Sequence, residues 1–236
     1  MNRLVLPLLA LLLVAMVLLS LYLGKYRVPL GDILAFVGWK LSGHTALSAE
    51  QLRLLANILV DIRLPRICAA LLIGAALSVS GTSFQALFIN PLVSPGLLGV
   101  LAGASFGAAL GMMCSKSWLI VQCSTLAFGF AAVGIAVVIA RIFRGSSIIM
   151  LVLGGIISGA FFSAALSIVK YAADPSNQLP AIVYWLMGNL SAADGRTISL
   201  ISGPMLLGIL VLIINGGQLN VMSMGEEEAR ALGIHV

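Results

Sequence analysis

The sequence predicts an all-α fold, a polytopic transmembrane helix bundle of about six spans. Composition is the first reason: 61% of the 236 residues are hydrophobic and 9% charged, against about 25% charged in an average globular chain. So few charges cannot cover the water-facing surface of a chain this long. The second reason is placement: residues 4–24, 67–115, 117–140, 145–169 and 197–225 carry no charged side chain. A helix needs roughly 20 apolar residues to cross ~30 Å of hydrocarbon at 1.5 Å per residue. The third is a single internal break, Asn90-Pro91-Leu92-Val93-Ser94-Pro95-Gly96, which divides the longest apolar run into two crossings because prolines and glycine end helices.

The spans follow in order. The first, near 5–23, comes after Arg3 as a signal peptide would. Its apolar run of about 20 residues exceeds a signal core, and no small-x-small cleavage site stands near 21–25, so it reads as a retained helix. The second, near 64–89, begins with Pro65, suited to a first helical turn. The third, near 96–113, starts after the break. The fourth lies near 118–140, the fifth near 147–169 after Arg141 and Arg144, and the sixth near 197–215 after Arg196. A polar segment, 219–236, completes a single membrane domain over 1–236.

Three spans carry rows of small residues at a spacing of four: Gly99, Gly103, Gly107 and Gly111; Gly155, Gly159, Ser163 and Ser167; Ala70, Gly74, Ser78 and Thr82. Such rows lie on one helix face and let backbones approach closely, so that dispersion and weak polar contacts hold helices together inside lipid. Helix packing is the expected role, in preference to a substrate path.

Several chemistries are excluded. No span carries Asp, Glu, Lys, Arg or His in its middle, whereas proton- and sodium-coupled transporters place such groups near the midplane. There is no P-loop. Cys68, Cys114 and Cys123 lack CxxC spacing, and His44 and His235 lie far apart, so neither a metal site nor a catalytic constellation is expected. Nor are a bound cofactor or a nucleic-acid partner. If the chain pumps, another subunit supplies the energy.

Two polar segments carry information. In Asp61-Ile62-Arg63-Leu64-Pro65-Arg66, two arginines sit at a membrane edge. They fit interfacial anchoring with snorkelling side chains or a docking site for carboxylates on a partner. The second segment is 219–234. Glu226, Glu227 and Glu228 would occupy the first turn of a short helix, at its positive dipole end. Glu226 and Arg230 form an i,i+4 pair, and Gly233 suits a C-terminal stop. Ala229 and Leu232 supply an apolar face. A helix of about two turns is marginal alone, so it needs a surface to pack on and is a candidate handle for a peripheral protein.

These segments carry a resemblance. RLPR at 63–66, GAALSVSGTSFQALFINPLVSPGLLGVLAGASFGA at 74–108, YWLMGNL at 184–190 and LNVMSMGEEEARALGI at 219–234 resemble, in the same order, the permease subunits of bacterial type II ATP-binding-cassette importers. This is the FecCD-like class for iron-siderophore, haem and cobalamin uptake. Such permeases have about ten spans, so the chain corresponds to the first two thirds of one and is expected to be a fragment or truncated product.

The resemblance implies a permease rather than an enzyme. ATP and Mg would sit on separate ATPase subunits, and a second permease copy, identical or related, would share the pathway. A periplasmic or lipid-anchored binding protein would deliver the chelate. Gly225, Glu226, Ala229, Leu232 and Gly233 match positions of the cytoplasmic loop that contacts the ATPase. Arg63 and Arg66 match arginines that receive the binding protein outside. The chain would then be a multi-pass protein of the bacterial inner membrane with a cytoplasmic N-terminus. Counting positive residues points the other way: the loops 25–66 and 170–196 hold Lys25, Arg27, Lys40, Arg53, Arg63, Arg66, Lys170 and Arg196, against Arg3, Arg141, Arg144 and Arg230 on the terminal side. The cytoplasmic side normally carries the excess; arginines kept outside for docking would account for the breach. Two other readings stand beside this one. One is a secondary transporter with discontinuous helices, suggested by 90–96 and disfavoured by the missing carboxylates; the other is a non-transporting membrane scaffold.

Overall fold

A computed structural model describes residues 4–44, 47–143 and 148–233, apart from the side chains of Ile148, Glu226 and Glu227. Among the described residues all regular structure is helical. Five helices are long and apolar enough to cross a membrane: Val5–Tyr22, Ala49–Phe88, Trp118–Ile142, Ile149–Ala172 and Gly195–Ile214. They contain or coincide with five of the six expected spans. The chain divides into two compact units, Met1–Leu77 with Leu190–Leu210, and Ser78–Asn189 with Val211–Val236.

In the first unit, α1 (Val5–Tyr22) buries no residue; a helix that is apolar all round and unburied has lipid as its solvent. The following stretch, expected as a loop, is helical. In α2 (Leu30–Ser42), Asp32 sits in the first turn and Gly43 ends the helix at φ 73°, a left-handed position that costs glycine little. α3 (Ala49–Leu55) opens with a capping box: the Ser48 hydroxyl accepts the Gln51 N–H at 3.2 Å, and the Gln51 side chain accepts the Ser48 N–H at 2.9 Å. Such a cap is worth about 1 kcal/mol. Val28, Phe36, Leu55 and Leu59 form a small core there. A π-helical segment, Ala56–Arg63, joins α3 to α4 (Leu64–Phe88). The continuous helix from Ala49 to Phe88 has 40 residues. At 1.5 Å per residue that is about 60 Å, twice the hydrocarbon thickness, so it must extend well beyond one crossing.

In the second unit the break falls where the prolines place it. The Asn90 carboxamide oxygen accepts the Leu92 N–H at 2.9 Å, and Gln85 donates to the Pro91 carbonyl at 3.1 Å. A 3-10 turn, Pro95–Leu98, leads into α5 (Val100–Cys114) through Gly99 at φ 75°. The expected third span is therefore not one long helix. Its 15 α-helical residues rise about 22 Å, and the 3-10 turn adds about 8 Å. α6 (Trp118–Ile142) and α7 (Ile148–Ala172) pack with α5. An additional helix, α8 (Gln178–Met187), lies within the expected loop 170–196. Its Ile182 is fully buried with Ala109, Val169 and Ala173. Asp174 precedes it, held below the usual carboxylate range chiefly by the Asn177 side-chain hydrogen bond.

α9 (Gly195–Ile214) starts at Asp194, which accepts the Thr197 N–H at 2.7 Å. Hydrogen bonds from Thr197 hold that carboxyl below its ordinary range. Two short helices end the described chain, α10 (Gly216–Met222) and α11 (Glu226–Ala231).

Candidate functional site

The small residues come first, because they set how tightly the helices of the second unit can meet. All four glycines of the row 99–111 are buried. A Cβ on Gly103 would strike the Phe128 carbonyl and lie 2.6 Å from the Ala132 Cβ; one on Gly107 would strike the Ser124 carbonyl. The Ser124 hydroxyl donates to the Gly107 carbonyl at 2.7 Å, sealing α5 on α6. One on Gly111 would lie 3.0 Å from the Val121 Cα. Across the 3-10 turn, a Cβ on Gly155 would strike the Leu97 carbonyl, and one on Gly99 would reach the Gly159 nitrogen at 2.8 Å. Ser158, fully buried, donates to the Ala132 carbonyl at 2.8 Å, joining α7 to α6. Phe106, Phe128 and Phe162 close the cluster with ring centroids 4.9–6.2 Å apart. The third row behaves differently: a Cβ on Gly74 would meet nothing within 4 Å.

The two arginines, expected to act alike, do different things. Arg63 is buried. Its guanidinium donates to the carbonyls of Leu21, Tyr22 and Tyr26. The first two belong to the last turn of α1, whose final carbonyls have no partner within the helix, and a positive charge suits that end of the dipole. Gly24 leaves room for this seat, since a Cβ there would lie 2.7 Å from Arg63 Nη2. Gly24 escaped the sequence reading, although a glycine just past an apolar run is a helix-stop sign. Arg66 is exposed and donates to the Ser191 carbonyl at 3.2 Å. Both arginines line the mouth of a cavity of about 690 Å³ within the first unit.

The segment after α9 is shaped by glycine. Gly225 precedes α11 at φ 125°, and Gly233 follows it at φ 81°, both in the region that side chains disfavour. The Gly233 N–H reaches the Arg230 carbonyl at 3.0 Å, so the helix stops where the sequence placed its stop. Ala229 is fully buried, while Leu232 is 61% and Met224 60% exposed. The expected Glu226–Arg230 pair depends on a Glu226 side chain outside the described residues. Among the described residues, no group of three His, Cys, Asp or Glu could hold a metal.

Comparison with known proteins adds the following. The model of the FecCD transport family matches residues 12–236. The chain is 35% identical over 226 residues to the molybdate import system permease protein MolB of Haemophilus influenzae, covering 96% of this chain and 66% of that protein. It is 35% identical over 185 residues to the hemin transport system permease protein HmuU of Yersinia pestis, covering 76% of this chain and 55% of that one. A solved structure described as an inward-facing conformation of a metal-chelate type ABC transporter superposes with a TM-score of 0.78 at 33% identity, over 96% of this chain and 66% of that one. The chain thus spans between 55% and 66% of the length of these relatives.

Proposed function

The chain belongs to the FecCD transport family, and from that premise we propose that it is the membrane-spanning permease subunit of an ATP-driven importer. Its cargo would be an iron-siderophore, haem, cobalamin or a related metal chelate. The multi-pass helices form the wall of the pathway, a second permease copy supplies the other wall, and separate ATPase subunits hydrolyse ATP. One observation carries the reading: beyond the last apolar span and the short α10 comes a helix of under two turns bounded by two left-handed glycines, with Ala229 packed inward and Leu232 left exposed. An isolated helix that short is unstable in water, so an exposed leucine on it fits a partner surface.

Mechanically, ATP closes the nucleotide-binding pair, α11 moves with it, and the bundle shifts between inward and outward openings. A distant ligand can bias such a two-state element only through contacts that differ between the states, and α11 is where that difference would be made. Gly225 and Gly233 set its limits, Ala229 seats it, and Glu226 and Leu232 are the proposed contacts to the ATPase. In this topology both chain ends are cytoplasmic and Arg66 is external, in the bacterial inner membrane. The relatives' named cargoes include molybdate and hemin, so membership alone does not select the cargo; the binding protein would do that.

Affinity purification of a full-length version from its native membrane tests the reading. An ATP-binding-cassette ATPase should copurify, and ATP-dependent uptake should appear on reconstitution with it. Recovery of the permease with uptake driven by a proton or sodium gradient and no ATPase would support the secondary-transporter reading instead.

The arginine pair gives a second test, because the two residues should fail in different ways. Arg66→Glu should weaken binding-protein docking about tenfold with folded yield unchanged, as expected for a charge-assisted contact of about 1.4 kcal/mol or more, and a complementary charge reversal on the partner should restore it. Arg63→Ala should instead lower folded yield, because it strips three carbonyls of a charged donor worth about 1.5–3 kcal/mol per bond. Salt-insensitive docking in the Arg66 variant, or a fully stable Arg63→Ala protein, would count against this division.

A further inference from the structure

The 690 Å³ cavity of the first unit has two unlike ends. Its deep wall is apolar: Leu13, Met16 and Val17 from α1 with Ile67, Ala70 and Leu71 from α4. Its mouth holds Lys25, Arg63 and Arg66 beside Tyr26. Among the described residues that line it there is no carboxylate. Tyr22 and Tyr26, flanked by Lys25 and Arg27, mark the mouth as the level of the lipid headgroups, where aromatic and basic side chains collect. From Leu13 to Tyr22 the helix rises about 14 Å, which is half of the ~30 Å hydrocarbon core. The groove therefore has the depth of one leaflet.

We propose that this groove is a seat for a single anionic phospholipid, with an acyl chain along the apolar wall and the phosphate on Lys25. The Arg63 guanidinium is turned onto the carbonyls of Leu21, Tyr22 and Tyr26 and Arg66 donates to the Ser191 carbonyl, so both contribute field at the mouth while Lys25, exposed, contributes the donor. Basic pockets between membrane helices select anionic headgroups by the same charge attraction. The lipid would cover a face of α1 that the chain itself leaves unburied and would hold α1 against the 58–71 segment. The proposal rests on the membrane-embedded fold and not on the import reading, so it can fail without that reading, and the reverse.

The test uses the full chain reconstituted in vesicles of equal phosphatidylglycerol and phosphatidylcholine, extracted in mild detergent and weighed by native mass spectrometry. One phosphatidylglycerol per chain should be retained in about fivefold preference to phosphatidylcholine, and the preference should fall as salt rises. Lys25→Gln should reduce the preference and Lys25→Glu should remove it. Ala70→Trp and Ser20→Trp, which fill the groove without changing charge, should lose the lipid. Because a filling variant can also unfold, the salt titration on the unaltered chain stands as an independent reading. Equal retention of both lipids by the unaltered chain would overturn the proposal. So would phosphatidylglycerol kept by both tryptophan variants, or a dimer mass lost in those variants while lipid retention is unchanged, which would assign the groove to a second copy.

Discussion

Leucine in place of Gly103 or Gly107 is expected to collapse the yield of folded protein in detergent. Even a single carbon at these positions would strike the Phe128 and Ser124 carbonyls, and at Gly103 it would also reach the Ala132 Cβ at 2.6 Å. These are largely backbone atoms of a packed helix, so the neighbour cannot rotate away and α6 must move off α5. That separation breaks the Ser124–Gly107 hydrogen bond of 2.7 Å and loosens the Phe106–Phe128 contact of 4.9 Å. Overpacking of a core costs typically ~1–3 kcal/mol where side chains can yield; with backbone in the way the cost lies at or beyond the upper end, a large share of a ~5–15 kcal/mol stability. Gly155→Leu should behave alike, since its Cβ would run into the Leu97 carbonyl and lie 2.7 Å from the Leu98 Cα. Gly134 is the internal control. It lies on α6, nothing approaches its Cβ within 4 Å, and Gly134→Leu should give normal yield. Monodisperse yield by size exclusion decides: normal yield for both Gly103→Leu and Gly107→Leu would refute the packing account.

The second large effect concerns function rather than folding. In a full-length, reconstituted transporter, Gly225→Val together with Leu232→Asp should abolish uptake, at least tenfold, while the ATPase keeps hydrolysing ATP. Gly225 holds φ 125°, a conformation that a β-branched residue adopts only at a cost of about 1–3 kcal/mol. Relief of that strain would turn α11 away from its place. Leu232→Asp puts a charge where an apolar contact is proposed, and burying it unpaired costs several kcal/mol. Changes of this size exceed the 1–3 kcal/mol by which coupled sites usually communicate. Measured side by side, ATP hydrolysis and uptake separate the outcomes. Retained uptake would remove α11 from the coupling role, and loss of both together with loss of folded yield would mark a structural role instead.

The division between the two kinds of information is clear at particular residues. The four-residue rows at 99–111 and 70–82 look alike as text. The first is buried between helices, whereas a Cβ added at Gly74 in the second would meet nothing within 4 Å. Spacing says that small residues share a face; it does not say what the face meets. Arg63 and Arg66 likewise share a motif, yet one caps a helix about 40 residues earlier in the chain and the other stays exposed. α8 was hidden because it is short, ten residues with Pro180 in its first turn, well below the length of a crossing. The packing of its Leu179, Ile182 and Leu186 against Ala109, Val169 and Ala173 depends on helices brought together from elsewhere. Gly233 was legible as a helix stop because a backbone conformation open mainly to glycine is a local property; Gly225 entered only through the family resemblance.

Residue order alone is enough to set the solvent of this protein, the approximate position of its apolar segments, the break at 90–96 and the boundaries of the last short helix. All of these follow from transfer free energies and backbone preferences that each residue contributes locally. Packing in three dimensions was needed to show which glycines are pressed against a neighbouring helix, which arginine is buried, how the third span is divided between a 3-10 turn and a short α-helix, and that a long helix continues back to Ala49 through a π segment. Those outcomes are set by contacts between residues far apart in the chain, where the energy belongs to the pair and neither member announces it alone.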